Sequence, residues 1–442
     1  MKRILIFSAL TCLLFSCNKK NDYKEILHDP ILFSRTVHEL NTVVMGNNFP
    51  PIIASRNYLY ASIAAYEVVA AGNPDKYYSL GGQLNGLKSL PVPESGKVID
   101  FEFATLLAFC KLGEAVTFPA GSMSEYVDSL KKLATDHGMP SDEFKNSVAF
   151  ADTISSVIMA WSKKDNYAQT RSFPKFNVKN DVPGRWIPTP PAYTEAMEPN
   201  WSAIRTLVLD SANQFVPPPP PTFDMTDKNS KYYNEVMLVK NAGDSLDDER
   251  KHIANFWDDN PFKLNVSGHV MFGTKKFSPP GHWMSIVGIA AEKAKADFAT
   301  TVYAYVITAI AQFDAFIQCW DQKYRSNTAR PETIINQYLD PEWRPLLQTP
   351  PFPEYTCGHS TMSSANAEAL TAVFGDNFAY TDSSELEFGI ASRSFKSFRD
   401  AADENNWARF YGGIHFHNSC IISTEYGRKV GDYIVQKLKF RK

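Results

Sequence analysis

Three short segments in the last third of the chain carry residue types that can do chemistry on an anion. Lys323 and Arg330 stand with six residues between them and Pro331 behind; Cys357-Gly358-His359 opens a stretch of small residues; Arg409 precedes His415 across the pair Gly412-Gly413. A tetrahedral oxyanion needs several fixed positive donors, because a guanidinium fork matches two of its oxygens at once and an ammonium adds a point charge. Lys323, Arg330 and Arg409 supply those cations. A glycine at a helix start, Gly358, lets backbone N–H groups come close to the anion where the helix dipole already favours negative charge. Two histidines complete such a site: His415 to attack or ligate the central atom, and His359 to move a proton at an outer oxygen. Taken singly, the segments are a charged helix end, a turn with a surface histidine and a helix junction with a packed one. Their combination in one stretch of chain favours an oxyanion site.

The elements that must position these residues are helices. Apolar residues three and four apart predict helices over 31–45, 58–71, 101–116, 122–137 and 141–161, then 231–256, 283–294, 299–325, 360–374, 383–400 and 419–438. Strand alternation is almost absent. Pro331 is expected to stop the long helix that runs through Cys319-Trp320-Asp321, leaving Arg330 at the break, free to turn toward a pocket. Between 165 and 224 the texture changes, with Pro183, Pro188, Pro190, Pro191, Pro199 and the run Pro217 to Pro221. Five consecutive prolines cannot be helix interior and should be extended polyproline laid over the surface. The expected fold class is therefore all-α, with helical halves at 29–164 and 225–442 joined by a proline-rich connection at 165–224.

Bulk properties narrow the function classes. The 442 residues carry a net charge of −3, with 44% hydrophobic and 21% charged residues. That balance fits a folded globular body and argues against a general binder of nucleic acid or anionic membrane, so attraction for anions must come from a local cluster. Met1-Lys2-Arg3 and the apolar stretch Ile4 to Phe15 read as a signal peptide over 1–16, too short to span a bilayer as a mature helix. Leu14-Phe15-Ser16-Cys17 resembles the lipobox of bacterial lipoproteins. It implies export, a lipid anchor on Cys17 in the periplasm or at the outer membrane, and a polar tether over 17–28. No later segment reads as apolar for 18 residues, so the body is expected to touch the membrane only through that anchor. Cys110, Cys319, Cys357 and Cys420 remain, with neither CxxC nor zinc spacing, and a disulfide framework is not expected in a body this large.

In order and spacing the three segments resemble the signature shared by type 2 phosphatidic acid phosphatases, bacterial acid phosphatases and vanadium-dependent haloperoxidases. That signature is Lys, six residues, Arg-Pro; then Ser-Gly-His; then Ser-Arg, five residues, His, three residues, Asp. Lys323 with Arg330-Pro331, Gly358-His359, and Arg409 with His415 fit it. Trp320, Pro351-Phe352-Pro353-Glu354-Tyr355, Trp257-Asp258-Asp259-Asn260-Pro261, Ser278 to Trp283, and the stretch from Ala54-Ser55-Arg56 to Ala65-Tyr66-Glu67 lean toward the bacterial iodoperoxidase-like lipoproteins. The resemblance implies two four-helix bundles with the site in the second. It implies vanadate bound covalently through His415 and held by Lys323, Arg330, Cys357, Gly358 and Arg409, with His359 as acid/base. Hydrogen peroxide and a halide, iodide foremost, would be the substrates. In a phosphatase the same frame would take a phosphomonoester, with His415 as the nucleophile of a phosphohistidine and His359 protonating the leaving group. A non-catalytic envelope protein with a degenerate site is the third reading.

Three positions depart from the signature. Cys357 replaces a serine, and a thiol is a weaker donor than a hydroxyl and open to oxidation by peroxide. Ser363 stands where a cysteine-phosphatase loop wants an arginine, so Cys357 is not read as a nucleophile. Ala408 replaces the serine before Arg409, and Ser419 replaces the aspartate after His415. With that aspartate gone another group must orient His415, Asn418 or a distant carboxylate such as Asp314 being candidates. His417 is expected to face away. His269 and His282 are read as structural, and Asp258-Asp259-Asn260 as a helix-end cap in preference to a calcium loop.

Overall fold

The computed structural model describes residues 21–261, 263–267, 270–274 and 276–442, with backbone alone for 263–267 and 270–274. Residues 1–20, with the leader and Cys17, and His269 lie outside the described residues. Helices dominate, as the periodicity predicts.

The first half contains α1 (Tyr23–Leu27), α2 (Pro30–Gly46), α3 (Pro51–Gly72), α4 (Phe101–Ala115), α5 (Ser124–Asp136), α6 (Ser141–Ser162) and α7 (Tyr167–Thr170). Local chemistry sets their starts: Asp29 accepts the N–H of Ile31 with Pro30 in the first helical position, and Asp100 accepts the N–H of Phe103. Every residue of α3 from Ile52 to Ala70 is buried, so α2, α4 and α6 gather around it as a four-helix group. Inside the stretch read as a tether, α1 is docked: Tyr23 and Leu27 are buried and the Tyr23 hydroxyl donates to Glu143 at 2.9 Å.

The second half holds α8 (Lys231–Asp244), α9 (Asp248–Phe256), the hairpin β1 (Lys263–Ser267) and β2 (Val270–Thr274), α10 (Pro279–Ala294), α11 (Phe298–Ser326), α12 (Pro331–Tyr338), α13 (Gly358–Phe374), the hairpin β3 (Tyr380–Asp382) and β4 (Arg393–Phe395), α14 (Phe398–Tyr411) and α15 (His417–Lys437). The helices α11, α13, α14 and α15 pack on one another as a second four-helix group, and α11 also lies against α3. One apolar core therefore runs through both halves. By length and mean hydropathy α11 could cross a membrane, contrary to the expectation that no such segment follows the leader, but its apolar window is wholly buried and it is a core helix. Along α13 and α15 the backbones touch. A Cβ on Gly427 would lie 2.2 Å from the Thr361 carbonyl oxygen, and one on Gly431 2.7 Å from that of Ala365.

Four sequence expectations are corrected. The helix expected over 231–256 is two, because Asp247 caps a new start by accepting the Arg250 N–H. The helix expected over 383–400 is a 3-10 turn (Ser384–Phe388) followed by β4, and the real helix, α14, begins at Phe398. Pro331 does not stop α11. That helix ends at Ser326 with Asn327 in the left-handed region at φ 51°, and Pro331 opens α12. Lastly, the proline-rich connection is stitched into the body as well as laid over it. Trp186 and Trp201 are fully buried, and Asp314 of α11 accepts the N–H groups of Leu207, Val208 and Leu209 at 2.8–3.0 Å.

Candidate active site

The ends of four helices meet around the predicted residues. Lys323 lies in the last turn of α11, Arg330 just ahead of α12, Cys357 at the cap of α13, Gly358 and His359 in its first turn, and Arg409 in the last turn of α14. His415 follows α14 across Gly412-Gly413. Both glycines are required there: Gly413 has φ +77°, and a Cβ on Gly412 would lie 2.6 Å from Leu347. The tight turn brings His415 back against Arg330.

His415 is fixed from both sides. Its Nδ1 lies 2.7 Å from a carboxylate oxygen of Glu354, and its Nε2 lies 3.0 Å from Nη1 of Arg330. A carboxylate can only accept and a guanidinium only donate, so the ring proton sits on Nδ1 and the lone pair of Nε2 faces the cations. The same Glu354 oxygen accepts the Phe416 N–H at 3.2 Å, locking the backbone next door. Glu354 thus fills the place of the missing aspartate, and sequence reasoning passed over it. Neither proposed substitute holds His415: Asp314 accepts the 207–209 N–H groups, and the two ring nitrogens of His415 face Glu354 and Arg330.

The cations are deeply buried and incompletely satisfied. Arg330 donates through Nε to the Phe352 carbonyl at 2.9 Å and through Nη1 to that of Ile414 at 2.8 Å, while its Nη2 has no partner. Arg409 donates through Nη1 to the Trp257 carbonyl at 2.8 Å, while its Nε has none. The Nε2 of His359 is likewise buried without a partner, although the residue as a whole is half-buried. Lys323 differs: its ammonium donates to the carbonyls of Pro353, Glu354 and Thr356, so all three of its N–H groups are spent and it offers the pocket charge more than a free donor. The Phe352 ring lies 5.0 Å from the Lys323 nitrogen and 4.9 Å from the Arg330 guanidinium carbon, an aromatic wall against both cations.

The electrostatics describe a pocket short of negative charge. Burial pushes Lys323 down to about 8 and Arg330 down to about 10. Burial, then the charge of Arg409, hold His359 well below the ordinary imidazole range. Burial alone would raise the Cys357 thiol, but a hydrogen bond from Cys420 and the adjacent His415 bring it well below the usual thiol range. A buried donor without an acceptor costs about 1–3 kcal/mol, more when charged. Two such donors, on Arg330 and Arg409, with the unpartnered Nε2 of His359, make a site that an anionic, oxygen-rich ligand would complete, which is what vanadate or phosphate provides.

The other histidines are elsewhere. His417 packs its ring on Trp407 and Phe410, each at 5.3 Å. His282 is fully buried in a carboxylate cage, its Nδ1 2.9 Å from Asp259 and its Nε2 2.9 Å from Asp382, with Glu385 and Lys276 beside it. Asp259 is therefore a partner of His282 and not a helix cap. That cage reaches the site indirectly, since Trp257 and Asp258, just ahead of Asp259, present their carbonyls to Arg409.

Comparison with known proteins follows the same lines. Residues 303–441 match the family model described as the VCPO second helical-bundle domain, a stretch that takes in Lys323, Arg330, the 357–359 segment, Arg409 and His415. No match was found among curated proteins. A crystal structure of a bacterial vanadium-dependent iodoperoxidase superposes with a TM-score of 0.87 at 44% sequence identity, over 93% of this chain and 97% of that one. Holo and apo structures of a bacterial vanadium-dependent chloroperoxidase share the fold at 18% identity, with TM-scores of 0.64 and 0.63 over 88% of this chain and 93% and 94% of theirs. With a relative this similar over nearly its whole length, the chain belongs to the vanadium-dependent haloperoxidase family.

Proposed function

We infer that the protein is a vanadate-dependent haloperoxidase that oxidises halide, iodide foremost, with hydrogen peroxide. The observation that carries this reading is the set of buried, unpartnered nitrogens, on Arg330, Arg409 and His359, around His415, whose Nδ1 is held by Glu354 so that its free Nε2 faces the cations. The preference for iodide draws support from the iodoperoxidase at 44% identity. Bound vanadate would supply a Lewis-acidic centre that activates peroxide toward attack by halide.

The chain's own residues divide the remaining work. His415 offers Nε2 as ligand, and Glu354 keeps the proton on the opposite nitrogen. Arg330 through Nη2 and Arg409 through Nε have N–H groups left for anion oxygens, and Gly358 adds the amide-rich start of α13. His359, neutral and with its Nε2 unpartnered, is placed to take or return a proton of the incoming peroxide. Lys323 contributes positive charge, and Cys357 places a sulfur where the signature has a hydroxyl.

Purified protein incubated with orthovanadate should form triiodide from iodide and peroxide. His415→Ala should abolish both this activity and vanadate binding. No triiodide from either the wild-type protein or Cys357→Ser would sink the reading, and turnover of a chromogenic phosphate ester without vanadate would turn it toward the phosphatase alternative. For its location, the lipobox-like Leu14 to Cys17 supports an exported lipoprotein anchored at Cys17. Labelling with a fatty-acid analogue that is lost in Cys17→Ser would support the anchor, and persistence of label would remove it.

A further inference from the structure

Cysteines crowd the site. Of the four free cysteines among the described residues, Cys319, Cys357 and Cys420 surround it, all fully buried, and only Cys110 lies in the first half. Cys357 caps α13 and Cys420 sits in the first turn of α15, where the Cys357 N–H donates to Ser423 at 2.8 Å. The two thiols belong to one buried side-chain cluster, and Ser423, which accepts the Cys357 N–H, lies one turn beyond Cys420 on α15. Disulfide closure needs Cα atoms roughly 4.4–6.8 Å apart, a separation that helices in backbone contact can offer. Just beyond these residues α13 and α15 are in such contact, at Thr361 and Gly427. The third thiol is engaged differently: Cys319 donates to the Thr356 carbonyl at 3.6 Å and accepts from its hydroxyl at 3.3 Å.

We propose that Cys357 and Cys420 form a peroxide-sensing thiol pair that reversibly closes the oxyanion site. The proposal rests on the haloperoxidase reading only in taking hydrogen peroxide as the molecule admitted there. The Cys357 sulfur attacks one peroxide oxygen, the O–O bond breaks, and Cys357 becomes a sulfenic acid as water leaves. The Cys420 sulfur then attacks the sulfenic sulfur, its proton departs with the hydroxyl as a second water, and the Cys357–Cys420 disulfide remains. Two thiols lose two electrons and one peroxide gains them at each full turn. Oxidation replaces the Cys357 thiol beside His415 with a disulfide sulfur and ties the first turn of α13 to α15. A reductant reverses it, whereas oxidation of an unpaired Cys357 would continue to the irreversible sulfinic acid.

The test treats reduced protein, without vanadate or halide, with a small excess of hydrogen peroxide, blocks free thiols and maps the digested peptides by mass spectrometry. Cys357 and Cys420 should appear as one cross-linked pair two hydrogens lighter than the separate thiols, with Cys110 and Cys319 still blocked. In Cys420→Ser the cross-link should vanish and Cys357 should run on to sulfinic acid. Oxidised wild-type protein should bind orthovanadate at least about tenfold more weakly, recovering after dithiothreitol treatment and its removal. Cys357 still blocked as a thiol, Cys357 found as sulfinic acid beside a free Cys420, or a cross-link to Cys319 would each overturn the proposal. Thiol mapping needs no turnover, so failure of the haloperoxidase reading would appear separately, as absence of triiodide from the reduced protein.

Discussion

The second half contains two buried charged clusters, and they are built in opposite senses. Around His415 the cations Lys323, Arg330 and Arg409 face a single carboxylate, Glu354, and donors are left over. Around His282 the carboxylates of Asp259, Asp382 and Glu385 face one imidazole and Lys276, and the leftover atoms are acceptors, on Asp259 and Glu385. The histidines respond in kind. Burial and Arg409 hold His359 down as the neutral base, whereas at His282 burial opposes the proton but the flanking Asp259 and Asp382 outweigh it and hold the ring well up as the cation. A cluster with spare donors is shaped for an external anion. A cage in which a cationic ring bridges two carboxylates largely satisfies itself and serves to hold neighbouring backbone still.

The comparison breaks most visibly at the cage. His282→Leu would leave Asp259 and Asp382 buried without their cation, a change of the kind that costs about 3–5 kcal/mol. Thermal or denaturant unfolding should show that loss. If the cage also steadies the Trp257 and Asp258 carbonyls that hold Arg409, the folded variant should bind vanadate more weakly as well. Unaltered stability would mean that the cage carries no charge worth compensating.

At the other cluster, Glu354→Gln is expected to lower vanadate affinity by about 10–100-fold, the usual effect of removing the carboxylate behind a ligating histidine. Titration of the protein with orthovanadate checks it. Asp314→Asn, at one of the two candidates the sequence left open, should leave that affinity unchanged while weakening the 207–209 attachment. A reversed pattern would give the orienting role to Asp314.

These assignments mark where the sequence was readable. Lys323, Arg330, Gly358, His359, Arg409 and His415 stood out because anion chemistry demands those residue types and the chain presents them in short, ordered segments. Glu354 did not, since a single glutamate in a proline-bounded loop has no spacing to its partner 61 residues on. The His282 cage hid for the same reason, its pairs being 23 and 100 residues apart. The long helices were legible from their apolar stripes. α14 was not, because its buried face includes Asn405, Asn406 and Arg409, polar groups turned inward where hydrophobic periodicity expects apolar ones. The short β3 and β4 carry too few residues for alternation to register.

Acidity separates the two histidines without any ligand. His359 has a folded-state pKa below its unfolded value near 6.5, so its contribution to stability is complete above that pH and is lost as pH falls through the folded value. His282 has a raised folded-state pKa, so its contribution is complete below about 6.5 and is lost as pH rises through the folded value. Unfolding of vanadate-free protein measured on both sides of neutrality should therefore lose the acid-side slope in His359→Gln, by up to about 1.4 kcal/mol per pH unit, and keep it in His282→Leu. The alkaline side should show the reverse. Equal slopes in both variants would mean that neither ring titrates as its surroundings require.

The smallest expected effect concerns Cys357. A hydroxyl there would donate a normal hydrogen bond to an anion oxygen, which a sulfur held well below the usual thiol range does not, a gain of about 0.5–1.5 kcal/mol. Cys357→Ser should then bind vanadate a few-fold more tightly and form triiodide at least as fast as the wild-type protein under reducing conditions, with the difference widening as peroxide rises because serine cannot be oxidised there. A variant that binds more weakly than wild type would instead mean that the wider sulfur is fitted to this pocket, and that the other donors have adjusted around it.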